Sequence, residues 1–213
     1  MRPKALLFDL DGTLIKFPKE FLFSQAFQVF DSLKLDVCSV DSMEAAFREF
    51  DFFRIAPEPV REQFMKTYWH LFDWSQYPKA ELIPAVEETL EALRKKGYEL
   101  AIVTSRDEEA DSIQQRLSHT SILKNISFII PRSCPDSEWS DKSKQIGLAC
   151  ERLGLKPKEV AMIGDIPPDI ESAKKSGVGT TVALLSGGIE KAKLAEMNPD
   201  YIIGAVSDIL EIF

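Results

Sequence analysis

The stretch ALLFDLDGT, residues 5–13, decides the fold of this chain. Its four leading apolar residues predict a buried strand, because near-continuous apolar runs are typical of parallel sheets covered on both faces. Two carboxylates, Asp9 and Asp11, follow at the carboxyl end of that strand, where open α/β sheets bind their ligands. Side chains alternate along a strand, so both carboxylates are expected to face one space while Leu10 points into packing.

Outward from this strand, the chain alternates between short apolar runs and amphipathic stretches. The runs predicted as strands span residues 100–103, 126–130, 160–163, 180–185 and 201–203. Between them, helices are expected with Pro84 at the first helical position, Gly97 as a stop signal and Asp141 as an N-cap. Alternating strands and helices predict the α/β class, with a parallel sheet covered on both faces.

Residues 20–74 follow a different pattern, with apolar residues at helical spacing and many phenylalanines. Three helices are predicted, and Pro57 and Pro59 separate the second from the third. Their apolar stripes are Phe23, Phe27 and Phe30; Met43, Phe47, Phe50 and Phe53; and Val60, Phe64, Tyr68 and Phe72. Core packing explains these stripes. The predicted domains are an α/β core, residues 1–17 and 78–213, and a helical insert, residues 18–77.

Composition excludes several classes of function. The 213 residues are 45% hydrophobic and 28% charged, as expected of a globular protein. A net charge of −8 repels nucleic-acid backbones, so no nucleic-acid partner is expected. Apolar runs of at most four residues exclude a membrane span. Cys38, Cys134 and Cys150 have no CxxC spacing, which indicates reduced thiols and a cytoplasmic location.

Three further features follow predicted strands or open a helix. Thr104 and Ser105 come after the strand 100–103, Lys142 and Lys144 lie near a later helix start, and Asp165 and Asp169 follow the strand 160–163. Each has an ordinary explanation as a cap or a solvated charge. Their common position at strand ends instead indicates one site. Two ionised acids as close as Asp9 and Asp11 repel each other, so either a cation or a proton is expected there.

Four motifs of this chain, in their order, resemble the signature of the haloacid dehalogenase-like hydrolase superfamily. They are Asp9-Leu10-Asp11-Gly12-Thr13, Thr104, a lysine and Gly164-Asp165-x-x-x-Asp169. The likeness covers essentially the whole chain. It implies a Rossmann-like core in which the strands that end at Asp9, Thr104 and Asp165 are neighbours. It also implies that residues 18–77 form a helical C1 cap, which is expected to close over the site.

The resemblance implies a catalytic role for each motif residue. Asp9 would be the nucleophile that forms an aspartyl-phosphate, and Asp11 would protonate the leaving oxygen and then activate water. Thr104 would hold the transferring phosphoryl group, and Lys142 would neutralise charge around it. Substrate-binding roles are expected for Thr104, Ser105, Gly12 and Lys142.

The implied cofactor is Mg²⁺, which prefers oxygen ligands. Its expected ligands are Asp9, Asp165 and the backbone carbonyl of Asp11, and Asp169 is expected to complete the site by orienting a metal-bound water. In many cap-bearing members a proline follows the motif lysine. Because none follows here, the choice between Lys142 and Lys144 stays open, and the spacing to Asp165 favours Lys142.

These residues predict a Mg²⁺-dependent phosphatase that acts on a small phosphorylated metabolite. The alternatives are a phosphomutase of the same fold and a non-catalytic domain that binds a phosphorylated ligand. A non-catalytic domain is expected to lose at least one motif, and all four are present. Carbon–halogen cleavage would not use Asp11. Three basic residues, Arg54, Arg61 and Lys66, belong to the expected cap. They are candidates to bind a second anionic group of the substrate, and the alternative is that they form a solvated helix face. Substrate and oligomeric state are left open.

Overall fold

The computed structural model describes residues 2–73, 76–132 and 141–213. Trp74 and Cys134, which figured in the expectations above, lie outside these ranges. The chain divides into two compact units, Met1–Lys16 with Ala80–Phe213, and Phe17–Lys79. Within the described residues, no helix is long and apolar enough to cross a membrane.

The first unit is built on a six-stranded parallel sheet in the order β3-β2-β1-β4-β5-β6. Its strands are β1 (Ala5–Phe8), β2 (Glu99–Val103), β3 (Phe128–Ile130), β4 (Val160–Gly164), β5 (Thr180–Leu184) and β6 (Tyr201–Ile203). The α/β class and the parallel sheet are confirmed. Because β1 lies between β2 and β4, Asp9, Thr104 and Asp165 follow three neighbouring strands.

Helices cover both faces of the sheet. The helices of this unit are α4 (Val86–Lys95), α5 (Ala110–Leu117), α6 (Ser143–Leu153), α7 (Pro167–Lys175), α8 (Lys191–Ala195) and α9 (Ile209–Ile212). Leu6 and Phe8 of β1 pack on one face in a core shared with α4, α5 and α9. Ala5 and Leu7 pack on the other face, with residues of α6 and α7. Every residue of β1 is buried, as a central parallel strand requires.

The same alternation continues past the end of β1. Leu10 lies fully buried in the core under α4 and α5, as expected. Asp9 has the parity of Ala5 and Leu7, and therefore emerges on the side of α6 and α7. The charged partners of Asp9 come from those two helices.

The second unit contains α1 (Lys19–Ser32), α2 (Val40–Arg48) and α3 (Arg61–Leu71) around an aromatic core. The Phe30 and Phe64 rings pack edge to face at 4.8 Å, a favourable arrangement for an aromatic pair. Two details of the predicted stripes are wrong. Phe27 is exposed rather than buried. The second helix ends at Arg48, because Phe50 adopts a positive φ of 55° and Phe53 lies in a separate 3₁₀ turn, Phe52–Ile55.

The stop signal after α4 is confirmed, whereas two predicted helix starts are wrong. Gly97 and Gly177 follow the ends of α4 and α7 with positive φ angles, as a C-terminal stop requires. Pro84 is not the first residue of α4, because Ala85 takes the left-handed conformation and the helix begins at Val86. The helix expected directly after Asp141 begins one residue later, at Ser143, with Lys142 at the N-cap.

Candidate active site

Asp9 and Lys142 form the centre of the site. The Lys142 ammonium lies 2.6 Å from Asp9 Oδ1 and 2.6 Å from Asp169 Oδ1, and its side chain is 1% exposed. Lys142 reaches this position because it sits at the N-cap of α6, facing α7, where its backbone N–H donates to Ser172 Oγ. Lys144 is exposed. The structure therefore brings Lys142, and not Lys144, to the first carboxylate motif.

Three buried carboxylates surround this ammonium. Oxygens of Asp9, Asp165 and Asp169 lie within 4.8 Å of one another, and all three residues are buried. Among the described residues Lys142 supplies the ammonium paired to the group, so the cluster with all three carboxylates ionised carries two negative charges in excess. Burial, the like charge of Asp169 and that of Asp11 raise the pKa of Asp9 to about 7, even though Lys142 acts in the opposite direction.

Burial and neighbouring charges also shift the pKa values of Asp165 and Lys142. Burial and the charges of Asp9 and Asp169 raise the pKa of Asp165 well above its usual value. Burial on its own would lower the pKa of Lys142, but the facing carboxylates of Asp169 and Asp9 outweigh burial and raise it. The cluster therefore keeps its ammonium, while the raised pKa values of Asp9 and Asp165 mean that ionising all three carboxylates together is unfavourable. A divalent cation would neutralise the excess negative charge of the ionised cluster.

Asp169 differs from the other two acids because protein donors occupy both of its oxygens. Oδ1 accepts from Lys142, while Oδ2 accepts from the backbone N–H groups of Asp165 and Ile166. These two bonds cap the N-terminus of α7, which opens with Pro167 and Pro168. Asp169 thus fixes the loop that carries Asp165. Asp9 and Asp165 remain the better candidates for direct metal ligands.

Asp165 sits in a tight socket of small residues. Thr13 Oγ1 donates to Asp165 Oδ1 at 2.6 Å. A Cβ atom on Gly12 would lie 2.2 Å from Asp165 Oδ2, and one on Gly187 would lie 1.8 Å from the same atom. Ser186 Oγ donates to the Gly12 carbonyl at 2.7 Å and fastens the two loops together. Glycine at both positions is therefore required for the carboxylate to fit.

Gly12, which is predicted to bind substrate, lies in the turn after the first motif. Its φ is +83°, and its N–H donates to the Ile15 carbonyl at 2.8 Å. The amide thus closes the turn after the first motif. The structural contribution of Gly12 is close approach to Asp165.

Thr104 and Ser105 begin the loop after β2. Thr104 is 1% exposed, and its Oγ1 accepts from the Arg106 N–H at 3.2 Å. The Ser105 hydroxyl is buried and has no hydrogen-bond partner among the residues the structure describes. A buried hydroxyl without a partner costs free energy, so this atom fits a loop that receives a hydrogen-bonding ligand.

Arg106 and Asp11 form an ion pair that motif reasoning missed. Arg106 Nε and Nη2 donate to the two Asp11 carboxylate oxygens, each at 2.7 Å. The Arg106 side chain is 4% exposed and that of Asp11 is 16% exposed. Asp11 is therefore held at the site by a buried guanidinium from the adjacent strand end, while Asp9 is held by Lys142.

Arg54 and Lys66, two of the candidates for a second anionic group, belong to the unit Phe17–Lys79. Arg54 pairs with Glu49 and Lys66 with Glu62, in each case a carboxylate nearby in sequence. Sequence reasoning also gave no role to Thr13, Ser172, Ser186 or Gly187. For Thr13 a signal was present, since it lies within the first motif.

These features define an α/β fold with a buried carboxylate cluster, a candidate metal site, at the carboxyl edge of its parallel sheet. The model of the haloacid dehalogenase-like hydrolase family matches residues 6–183. The chain belongs to this family and is a hydrolase of the haloacid dehalogenase-like type.

Particular relatives cover nearly the whole chain. A pyrophosphatase PpaX from Bacillus velezensis is 29% identical and covers 99% of this chain and 96% of its own. An N-acetylmuramic acid 6-phosphate phosphatase from Pseudomonas aeruginosa is 28% identical over 100% of this chain and 95% of its own. A phosphoglycolate phosphatase from Aquifex aeolicus is 24% identical over 98% and 96%.

Solved structures show the same fold. A haloacid dehalogenase-like family hydrolase from Streptococcus pneumoniae superimposes with a TM-score of 0.78 at 24% identity. The match covers 99% of this chain and 98% of the other. At this identity the likeness establishes the fold.

Proposed function

We propose that this enzyme is a Mg²⁺-dependent phosphatase that hydrolyses a small phosphorylated metabolite through an aspartyl-phosphate on Asp9. The observation that carries the proposal is the buried cluster of Asp9, Asp165 and Asp169 on Lys142, whose excess of two negative charges matches one divalent cation. Phosphoryl transfer asks mainly for positioning and charge neutralisation, and this cluster supplies both.

The donor set fits Mg²⁺. Asp9 and Asp165 offer hard carboxylate oxygens, and few protein ligands are compatible with an ion that keeps several waters. When bound, Mg²⁺ would supply positive charge that draws the phosphate oxygens in and offsets repulsion from the attacking carboxylate. Asp169, with both oxygens occupied, would act by orienting Lys142 and the loop of Asp165.

Each residue of the site then has its own role in the proposed reaction. Asp9 attacks phosphorus, with Lys142 Nζ balancing the charge of its other oxygen. Thr104 and the Ser105 loop receive the phosphoryl oxygens. Asp11 gives a proton to the leaving oxygen in the first step and takes one from water in the second. Hydrolysis returns Asp9 to its carboxylate and releases phosphate.

Names of relatives support a small substrate: they specify pyrophosphate, phosphoglycolate and N-acetylmuramic acid 6-phosphate as substrates of those proteins. We assign the helical unit Phe17–Lys79 the role of a cap that selects the leaving group. Cys38 and Cys150 are free thiols, which supports the proposed cytoplasmic location.

The deciding experiment is a screen of phosphorylated metabolites for phosphate release, with Mg²⁺ present and after chelation. Mg²⁺-dependent release by the parent enzyme, absent in Asp9→Asn, is the expected result. Release that continues in excess chelator would contradict the role of Asp165. Products are also resolved by ³¹P NMR: a phosphate that reappears on another hydroxyl of the substrate would identify a phosphomutase instead.

A further inference from the structure

The Asp11–Arg106 pair points to a property of the substrate, given the proposed function. Asp11 reaches its leaving-group role only if a carboxylate oxygen faces the substrate. In the structure both oxygens accept from the Arg106 guanidinium, at 2.7 Å each. Asp11 must therefore give up at least one of these bonds to contact a leaving oxygen.

Such a release is costly for Arg106, which is the more buried partner. Its side chain is 4% exposed. Removing one partner of a buried ion pair is costly, because the charge that stays behind loses compensation. A replacement anion at the guanidinium would remove most of this cost.

Glu108 is poorly suited to be that replacement. Its Oε1 lies 3.5 Å from Arg106 Nη1, at the limit of a hydrogen bond. Its Oε2 already accepts from Arg116 Nε at 2.7 Å and from Ser112 Oγ at 3.0 Å. Glu108 is thus held by α5, and a full exchange to Arg106 would break those bonds.

The position of Arg106 shows which part of a substrate meets it. In an in-line displacement the nucleophile and the leaving oxygen lie on opposite sides of phosphorus. Asp9, with Lys142, marks the side of attack, and Asp11 serves the opposite side. Because Arg106 is bonded to Asp11, the proposed roles of Asp9 and Asp11 put its guanidinium on the leaving-group side.

We propose that Arg106 is a specificity-determining residue that exchanges Asp11 for an anionic group carried by the leaving group of the substrate. The substrate class is then a phosphate ester or anhydride whose leaving group bears a second negative charge, a carboxylate or a phosphate. A substrate of this class frees Asp11 as it binds. A neutral leaving group leaves Asp11 on Arg106 and is turned over slowly.

Matched substrates test this proposal. The pair is phosphoglycolate and its carboxamide, phosphoglycolamide, which differ in one charge at nearly equal size, and p-nitrophenyl phosphate reports general phosphatase activity. We expect the parent to prefer phosphoglycolate by about tenfold or more in kcat/KM, the scale of a charged bidentate hydrogen bond. In Arg106→Met the preference should fall to within about threefold, and Arg106→Lys should be intermediate because it keeps the charge without the fork.

Arg132→Met is the matched control. Arg132 belongs to a neighbouring loop, donates its backbone N–H to the Arg106 carbonyl, and pairs with Asp107 instead of Asp11. It should retain the parental preference. Equal losses on both esters in Arg106→Met would show that Arg106 only supports the fold or holds Asp11, and would overturn the proposal.

A binding measurement keeps the proposal testable if Arg106→Met does not fold. Exchange means that Asp11 competes with the ligand for Arg106, so removing Asp11 should tighten anion binding. Calorimetry should show phosphoglycolate binding about tenfold more tightly to Asp9→Asn/Asp11→Ala than to Asp9→Asn, with no such gain for phosphoglycolamide. An equal gain for both ligands, or none, would contradict the exchange. Absence of turnover of any phosphate ester by the parent with Mg²⁺ would instead overturn the proposed function, whatever the binding result.

Discussion

The Lys142 ammonium bridges Asp9 and Asp169, at 2.6 Å from one oxygen of each. This bridge joins the end of β1 to the start of α7 through the N-cap of α6. We therefore propose two functions for the buried lysine beside Asp9, the proposed nucleophile. It balances charge beside the nucleophile, and it locks the loop that presents Asp165.

Replacing Lys142 should affect catalysis far more than replacing Lys144. Lys142→Ala removes a fixed charge beside the transferring group, and kcat is expected to fall about a hundredfold or more. Lys144 is exposed two positions further on, and Lys144→Ala should stay within about threefold. Steady-state kinetics on one good substrate decide the ranking. The reverse order would assign the function to Lys144.

Asp9→Asn should abolish turnover and leave the protein folded. The amide is nearly isosteric and can still accept a hydrogen bond from Lys142, but it cannot attack phosphorus. The substitution also removes one of three mutually repelling carboxylates. Activity is read together with the circular dichroism spectrum and the melting temperature. A folded variant within about tenfold of the parental rate, about 1.4 kcal/mol of barrier, would remove Asp9 from the nucleophile's role.

Much of the fold was predictable because its signals are local or follow from the topology of parallel sheets. The run before Asp9 is a buried central strand, and the strand ends that carry Asp9, Thr104 and Asp165 are adjacent. These predictions needed only apolar runs, strand alternation and a familiar order of motifs.

The site was predicted less completely because side-chain pairing depends on long-range geometry. An arginine after Thr104 resembles any charge near a helix start, and nothing local shows that it pairs with Asp11, 95 positions away. The predicted end of α2 is wrong for a related reason. Apolar spacing continues through Phe50, but the backbone leaves the helix there with a positive φ, and the later phenylalanine packs from a 3₁₀ turn.

Metal binding should depend on Asp165 in a way that can be measured without turnover. We expect calorimetric Mg²⁺ binding to the parent and a loss of about tenfold or more in affinity for Asp165→Asn, because the amide lacks the charge that a hard cation requires. Ca²⁺ should bind and yet restore activity poorly, since its longer, looser coordination misplaces the nucleophile. Lys144→Ala is the control. Unchanged Mg²⁺ affinity in Asp165→Asn would exclude Asp165 as a ligand.

Gly187→Ala should weaken Mg²⁺ binding without any change in a charged group. The added Cβ would lie 1.8 Å from Asp165 Oδ2, so the carboxylate has to shift from the position in which it accepts from Thr13. A displacement of this kind should raise the Mg²⁺ concentration for half-maximal activity and lower the calorimetric affinity together. Gly147→Ala is the matched control, because a Cβ there meets nothing within 4 Å. If both variants bind Mg²⁺ as the parent does, the socket is not a positioning element.

The Asp141–Lys175 pair should give a pH-dependent contribution to stability. The hydrogen bond from Lys175, at 2.6 Å, and bonds from Ser143 lower the pKa of Asp141 to about 2. An acid with a depressed folded-state pKa stabilises the native state above its unfolded value, here 3.8, and loses that contribution as pH falls towards 2. Asp141→Asn keeps the cap on Ser143 and removes the charge. It should cost about 0.5 kcal/mol at pH 7, a small value because Lys175 is largely exposed. The free energies of unfolding of the variant and the parent are measured in urea at pH 7 and pH 3, and their difference should be smaller at pH 3. A difference that grows on acidification would show that the charged form of Asp141 does not stabilise the fold.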